Sequence, residues 1–245
     1  MSRTRILAAA VTLYLVLAAG ARGAQTASMS AKFAPEKLGA PTTLSLGFQL
    51  GGELPPPLTA VDVHYPANLG LLTSGLGLAS CDPVQLEEHG PSICPPNSLM
   101  GRGSALAKVA LRSEVLSETA RIALVAGPSQ DGSLRILISA TGLSPVAGGF
   151  VMPTLLLAGS LHITVPLVPT LPGAPDLSVV RIQTTLGGNL TYYRRAHGKM
   201  VAYRANGIGL PKRCPRGGFK FAATFAFLDR TTARAHTAVA CPKHG

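Results

Sequence analysis

Tryptophan is absent from this 245-residue chain, and only 13% of its residues are charged. Without tryptophan the chain lacks the side chain best suited to stacking on sugar rings, which weakens a carbohydrate-binding reading. The motifs that announce common chemistries are missing too. There is no Gly-x-Ser-x-Gly elbow, no His-Glu-x-x-His zinc helix and no Gly-x-x-x-x-Gly-Lys phosphate loop. Gly127-Pro-Ser129-Gln-Asp131 comes nearest to the first of these, but it lacks the final glycine and reads as a polar turn. Histidines stand singly, and the carboxylates make no glycosidase-like pair: Glu87 and Glu88 point apart on a short helix, while Glu114 and Glu118 read as a polar connector. Asp62 and His64 share one strand face, a two-ligand start that falls short of a metal site. No catalytic residue, metal or cofactor is expected.

Cysteine is scarce but even in number. Cys81, Cys94, Cys214 and Cys241 form two local groups, and the last three each precede a proline. An even set behind an export signal argues for disulfides rather than a nucleophile. Four cysteines allow three connectivities. Cys81–Cys94 and Cys214–Cys241 are the expected pairs, because each brackets one local element. The export signal comprises Arg3 and Arg5, an uncharged run from Ile6 to Ala19, and small residues up to Ala24. The run is too short for a membrane-spanning helix, so residues 1–24 are expected to be a cleaved signal peptide. With no apolar tail after Cys241, the protein is expected in the extracellular space or loosely held at the cell envelope.

Period-two alternation dominates the rest of the chain. It runs through Leu44–Leu50, Val61–Tyr65, Ala107–Leu111, Ile122–Ala126, Leu134–Ala140, Leu161–Leu167, Val180–Leu186 and Phe219–Phe227. Glycine, proline and Asn-Gly punctuation separates these runs. The pattern predicts an all-β fold, an antiparallel β-sandwich with one short helix and a disulfide-closed C-terminal hairpin. The helix is expected after Asp82, which suits the N-cap, with Pro83 at the first helical position, Gln85 completing a capping box and Gly90 ending the turn. Residues 25–245 are expected to form a single β-rich domain. The proline repeat Pro166, Pro169, Pro172, Pro175 marks residues 166–176 as the place for any subdomain boundary.

Charge is unevenly placed. From Ile136 to Pro175 there are 40 residues without Asp, Glu, Lys or Arg. Frequent prolines exclude a spanning helix there, leaving buried strands or an apolar surface for a lipid. From residue 177 onward, 12 Lys or Arg face a single acid, Asp229. Arg194, Arg195, Lys199, Arg204, Lys212, Arg213, Arg216 and Lys220 crowd together with Tyr192, Tyr193 and Tyr203. Such a region attracts anionic envelope polymers or anionic lipid surfaces. Export disfavours nucleic acid as the partner. Asn189-Leu-Thr191 fits a glycosylation sequon, which requires a eukaryotic secretory route.

Cys94-Pro-Pro-Asn-Ser-Leu-Met-Gly101 after a short helix, and the ending Cys214-Pro…Phe-Ala-Ala-Thr-Phe…Cys241-Pro, carry a resemblance. It covers Val61 to Lys108 and Arg213 to Lys243, and leaves the middle unmatched. The chain resembles a group of secreted proteins of high-GC Gram-positive bacteria that has no established activity. The resemblance implies export, disulfides and a β-rich fold, and weighs against glycosylation.

The leading expectation is therefore an exported non-enzymatic protein that binds anionic polymers through its basic C-terminal third. Two alternatives stand beside it: a carrier of an apolar ligand using segment 136–175, and a secreted hydrolase with an unrecognised site.

Overall fold

The computed structural model describes residues 25–71, 79–111, 114–130, 133–144, 148–168, 176–187, 191–204 and 207–242. The expected signal peptide, Asn189 of the sequon and most of the proline repeat lie outside the described residues. In chain order the strands begin with β1 (Ala27–Ala34), β2 (Pro41–Leu50), β3 (Leu58–His64) and β4 (Gly70–Leu71). Helix α1 (Pro83–His89) follows, then β5 (Leu99–Leu111), β6 (Glu114–Gln130) and β7 (Ser133–Ser144). Next come β8 (Gly149–Leu157), β9 (Ser160–Thr164) and β10 (Ser178–Gly187). The chain continues through β11 (Thr191–Ala196), β12 (Lys199–Arg204) and β13 (Ile208–Gly209). It closes with β14 (Phe219–Phe227) and β15 (Thr232–Val239). The expected all-β architecture is present.

Every pairing is antiparallel, and thirteen strands join one sheet in the order β15-β14-β3-β9-β8-β7-β6-β5-β10-β2-β13-β4, with β1 on the free edge of β2. The sheet curls until β1 lies alongside β15, so it is nearly closed. Residues 166–176 link β9 to β10, two strands of this same sheet.

Opposite walls meet face to face where β1 and β2 pack over β14 and β15. The alternation in β14 puts Phe219, Phe221, Ala223, Phe225 and Phe227 inside, all buried. Phe33 of β1 meets Phe219 edge-on at 5.2 Å, and Phe48 of β2 meets Phe225 edge-on at 5.6 Å. Edge-to-face geometry sets the positive ring rim of one partner against the negative face of the other. Around these rings the walls pack directly against each other.

Helix α1 forms as its sequence requires. The Asp82 carboxylate accepts from the backbone amides of Val84 and Gln85 at 2.9 and 3.0 Å, with Pro83 in the first turn. Gly90 ends the helix at φ +74°, a conformation that a Cβ would oppose. Leu86 seats the helix on the outside of the sheet against Val125 and Leu137, beside the Cys81–Cys94 disulfide. Ile136, Leu137 and Ile138 are thus buried on both faces, two inward and one under the helix. That is why β7 carries the unbroken apolar run Ile136-Leu137-Ile138. The Cys81 amide also donates to the Ala126 carbonyl at 2.7 Å, so the disulfide fixes the helical segment to β6.

Cys214 and Cys241 join just beyond the Phe219–Val239 pair, at the open end of the β14–β15 hairpin. Closing these loops restricts the unfolded chain, by about 3.5 kcal/mol for Cys214–Cys241 and about 3 kcal/mol for Cys81–Cys94. Denaturant titration of Cys214→Ala/Cys241→Ala should show a loss of that order. A loss below about 1 kcal/mol would mean that the hairpin is held by its aromatic face alone.

Two local expectations need correction. Glu114 to Glu118 is not a connector, because the strand expected at Ile122–Ala126 extends over all of β6. Gly127 to Gln130 likewise belongs to β6, with a register shift opposite Arg135 to Ser133. In both places polar residues occur within a strand, Glu118 even on its inner face, and such runs read as turns.

Candidate functional site

The other half of the sheet is not filled. Eleven strands contribute to its ring, and a ring of that size is wider than the roughly eight strands whose side chains can fill an interior. Large inward residues could still occupy the space, but β5, β6 and β7 carry small ones. Register sets Ile182, Ala105, Ala120 and Gly142 side by side across four strands. The neighbouring row runs Ile122, Ala140, Phe150. Ala107 stands next to Ala105 on the same inner face and pairs with Glu118. The result is a cavity of about 320 Å³.

Its wall is almost entirely hydrocarbon. Leu44, Leu46 and Phe48 come from β2, Val61 and Val63 from β3, and Ile122 and Leu124 from β6. The charge-free segment supplies Ile136, Ile138, Ala140, Phe150, Met152, Leu156, Leu161, Ile163 and Val165, together with Pro166 and Val168 beyond β9. Leu69, Ile208 and Phe221 close one end. Toward the other end lie Val179, Ala107, Glu118 and the exposed Gly148 and Gly149.

Polar atoms are few among the lining residues. Tyr65 turns its ring to the cavity while its hydroxyl donates to the Leu157 carbonyl at 2.9 Å. Burial raises the Tyr65 phenol above its ordinary range, and a backbone hydrogen bond at Gly159 opposes this. Thr184 adds a hydroxyl. Glu118 is the one carboxylate in the lining and is only 6% exposed. Sequence reasoning passed over it as connector. The signal was present in Leu116, Glu118, Ala120 and Ile122, which alternate with outward residues and so share the inner face.

The other candidates stay apart from this cavity. Asp62 accepts or shares a proton with Nδ1 of His162 at 2.7 Å, across the β3–β9 pairing, on the outer face. A half-exposed pair of this kind stabilises by about 1 kcal/mol or less. His64 is opposite Ser160, and no cluster of His, Cys, Asp or Glu among the described residues could hold a metal ion. Glu87 and Glu88 are exposed on α1.

The basic residues divide among three places. Lys212, Arg213 and Arg216 are exposed in the loop before β14, and Lys220 is exposed on the outer face of β14. Arg194, Arg195, Lys199 and Arg204 belong to the separate β11–β12 hairpin, outside the large sheet. Register puts positions 195 and 204 on one face of that hairpin and 194 and 199 on the other. No helix among the described residues is long and apolar enough to cross a membrane. Comparison of the chain with protein-family models, with curated proteins and with solved structures returns no match.

Proposed function

We propose that this protein is an exported, non-enzymatic carrier of a small apolar ligand. The single observation that carries the reading is an interior lined by hydrocarbon and left unfilled. Native cores are close-packed, and an apolar void forfeits dispersion contacts along its whole lining. A ligand of matching size restores those contacts at about 0.8 kcal/mol per buried methylene, whereas water gains too few polar partners to stay. The volume lies near the lower end of the roughly 300–1,000 Å³ usual for small-molecule sites, so one acyl chain or one compact apolar molecule suits it. The ligand is accordingly an apolar molecule of about that size. The two disulfides suit an oxidising compartment, consistent with export.

The test is saturable binding of N-phenylnaphthylamine, a neutral apolar fluorophore, to the delipidated protein. Displacement by a long-chain alcohol is then measured. One-site saturation, with the alcohol displacing the probe, is expected. A linear, unsaturable signal would end the carrier reading. Saturation with no displacement by the alcohol would exclude an acyl chain as the ligand.

A further inference from the structure

The β11–β12 hairpin stands outside the large sheet, with β11 passing beside the 3-10 turn Pro96–Ser98. Its tip is a two-residue turn, His197 at φ +49° and Gly198 at φ +75°, closed by the Ala196–Lys199 pair. Both turn residues have the positive φ that matches the right-handed twist of a tight hairpin. Such a ribbon is marginal alone in water, and it usually hides one face against a core. Here the described side chains of both faces are exposed or half-exposed. Tyr193 is 58% exposed, Met200 62% and Val201 43%, and Ala202, Arg195 and Lys199 are exposed beside them. By register Tyr193, Arg195, Met200 and Ala202 share one face, while Lys199 and Val201 share the other. Residues 191–204 contain no Asp or Glu.

We infer that this hairpin docks the protein on an anionic lipid bilayer. Apolar and cationic side chains alternate along it, so no surface that is only charged or only apolar satisfies both sets. A bilayer interface does. On the face they share, Met200 reaches the acyl boundary and the amphipathic Tyr193 ring sits at headgroup depth, while Arg195 on that face and the long Lys199 side chain beside the turn meet the phosphates. Complementarity of charge selects anionic lipid, with each Lys or Arg near such a surface favouring binding. A soluble polyanion would use the cations and leave Tyr193 and Met200 in water. The docking surface is separate from the cavity and does not rest on the carrier reading.

Co-sedimentation of the full chain with vesicles tests this, using phosphatidylcholine alone and phosphatidylcholine with an equal part of phosphatidylglycerol. Binding is expected only to the second, and it should weaken as salt rises. Arg195→Gln/Lys199→Gln should reduce partitioning roughly 30-fold, the ratio that about 2 kcal/mol represents. Tyr193→Ser/Met200→Ser should reduce it at least tenfold on the same vesicles while leaving retention on immobilised polyphosphate unchanged. Should that double variant melt early, Met200→Ser alone carries the comparison. The proposal is overturned if the parent ignores anionic vesicles at low salt. It is also overturned if the apolar variant binds them as tightly as the parent, which would make the hairpin a polyanion surface with no bilayer contact.

Discussion

Phenylalanine in place of Ala120 is expected to weaken binding of an apolar ligand at least tenfold, about 1.4 kcal/mol, without unfolding the protein. Ala120 stands mid-wall between Ala105 and Gly142, so a ring attached there projects into space that no side chain occupies. Overpacking a dense core commonly costs about 1–3 kcal/mol because neighbours must leave their rotamers. Filling a void has the opposite sign and commonly adds about 0.5–2 kcal/mol. The thermal midpoint of Ala120→Phe should therefore match or exceed that of the parent while probe binding collapses. Thr119→Phe is the control, since Thr119 is exposed on the outer face of the same strand. Loss of binding in both variants, or in neither, would place the ligand elsewhere. If Ala120→Phe is poorly folded, Ala105→Phe fills the same row from β5.

Phe225→Ala is expected to cost about 3–5 kcal/mol, the usual range for deleting a buried aromatic. Phe225 is fully buried, with Phe48 edge-on at 5.6 Å, and the solid half of the molecule is built around such contacts. The truncation removes the transfer free energy of the ring and leaves a second void beside the first. For a domain of this size a loss near the middle of the range lowers the melting temperature by roughly ten degrees. Ala226→Gly, one position along on the opposite face, should cost only about 1 kcal/mol, from backbone freedom alone. Urea titration of both distinguishes packing from strand propensity. A loss below about 1.5 kcal/mol for Phe225→Ala would mean that the wall collapses freely into the cavity. The two halves would then share one adaptable core.

Much of this architecture is legible in local patterns, because local physics sets it. Phe219 to Phe227 alternate with small and polar residues, and a strand turns successive side chains to opposite faces, so their burial follows from periodicity alone. Asp82, Pro83 and Gly90 mark the ends of α1 through hydrogen bonding and permitted φ, which need no tertiary partner. The disulfide pairs follow from the elements they bracket. The 40-residue uncharged stretch announced apolar surroundings, though not whether core, pocket or interface.

That last question belonged to long-range register. Alternation says that Ala105, Ala120 and Gly142 face inward, but only the pairing of β5, β6 and β7 brings the three together and leaves a space where any one alone would be filled by a neighbour. The same pairing turns Glu118 from an apparent connector residue into the carboxylate of an apolar wall, and the β3–β9 register joins Asp62 to His162 across 100 positions. Register also separates Arg195 from Lys199 onto opposite faces of a hairpin where sequence proximity suggested one basic patch. Composition and periodicity determine which side of a strand a residue takes. Curling the sheet until β1 lies beside β15 decides what each side encloses, since closure depends on contacts between residues too distant in the chain for any local preference to encode.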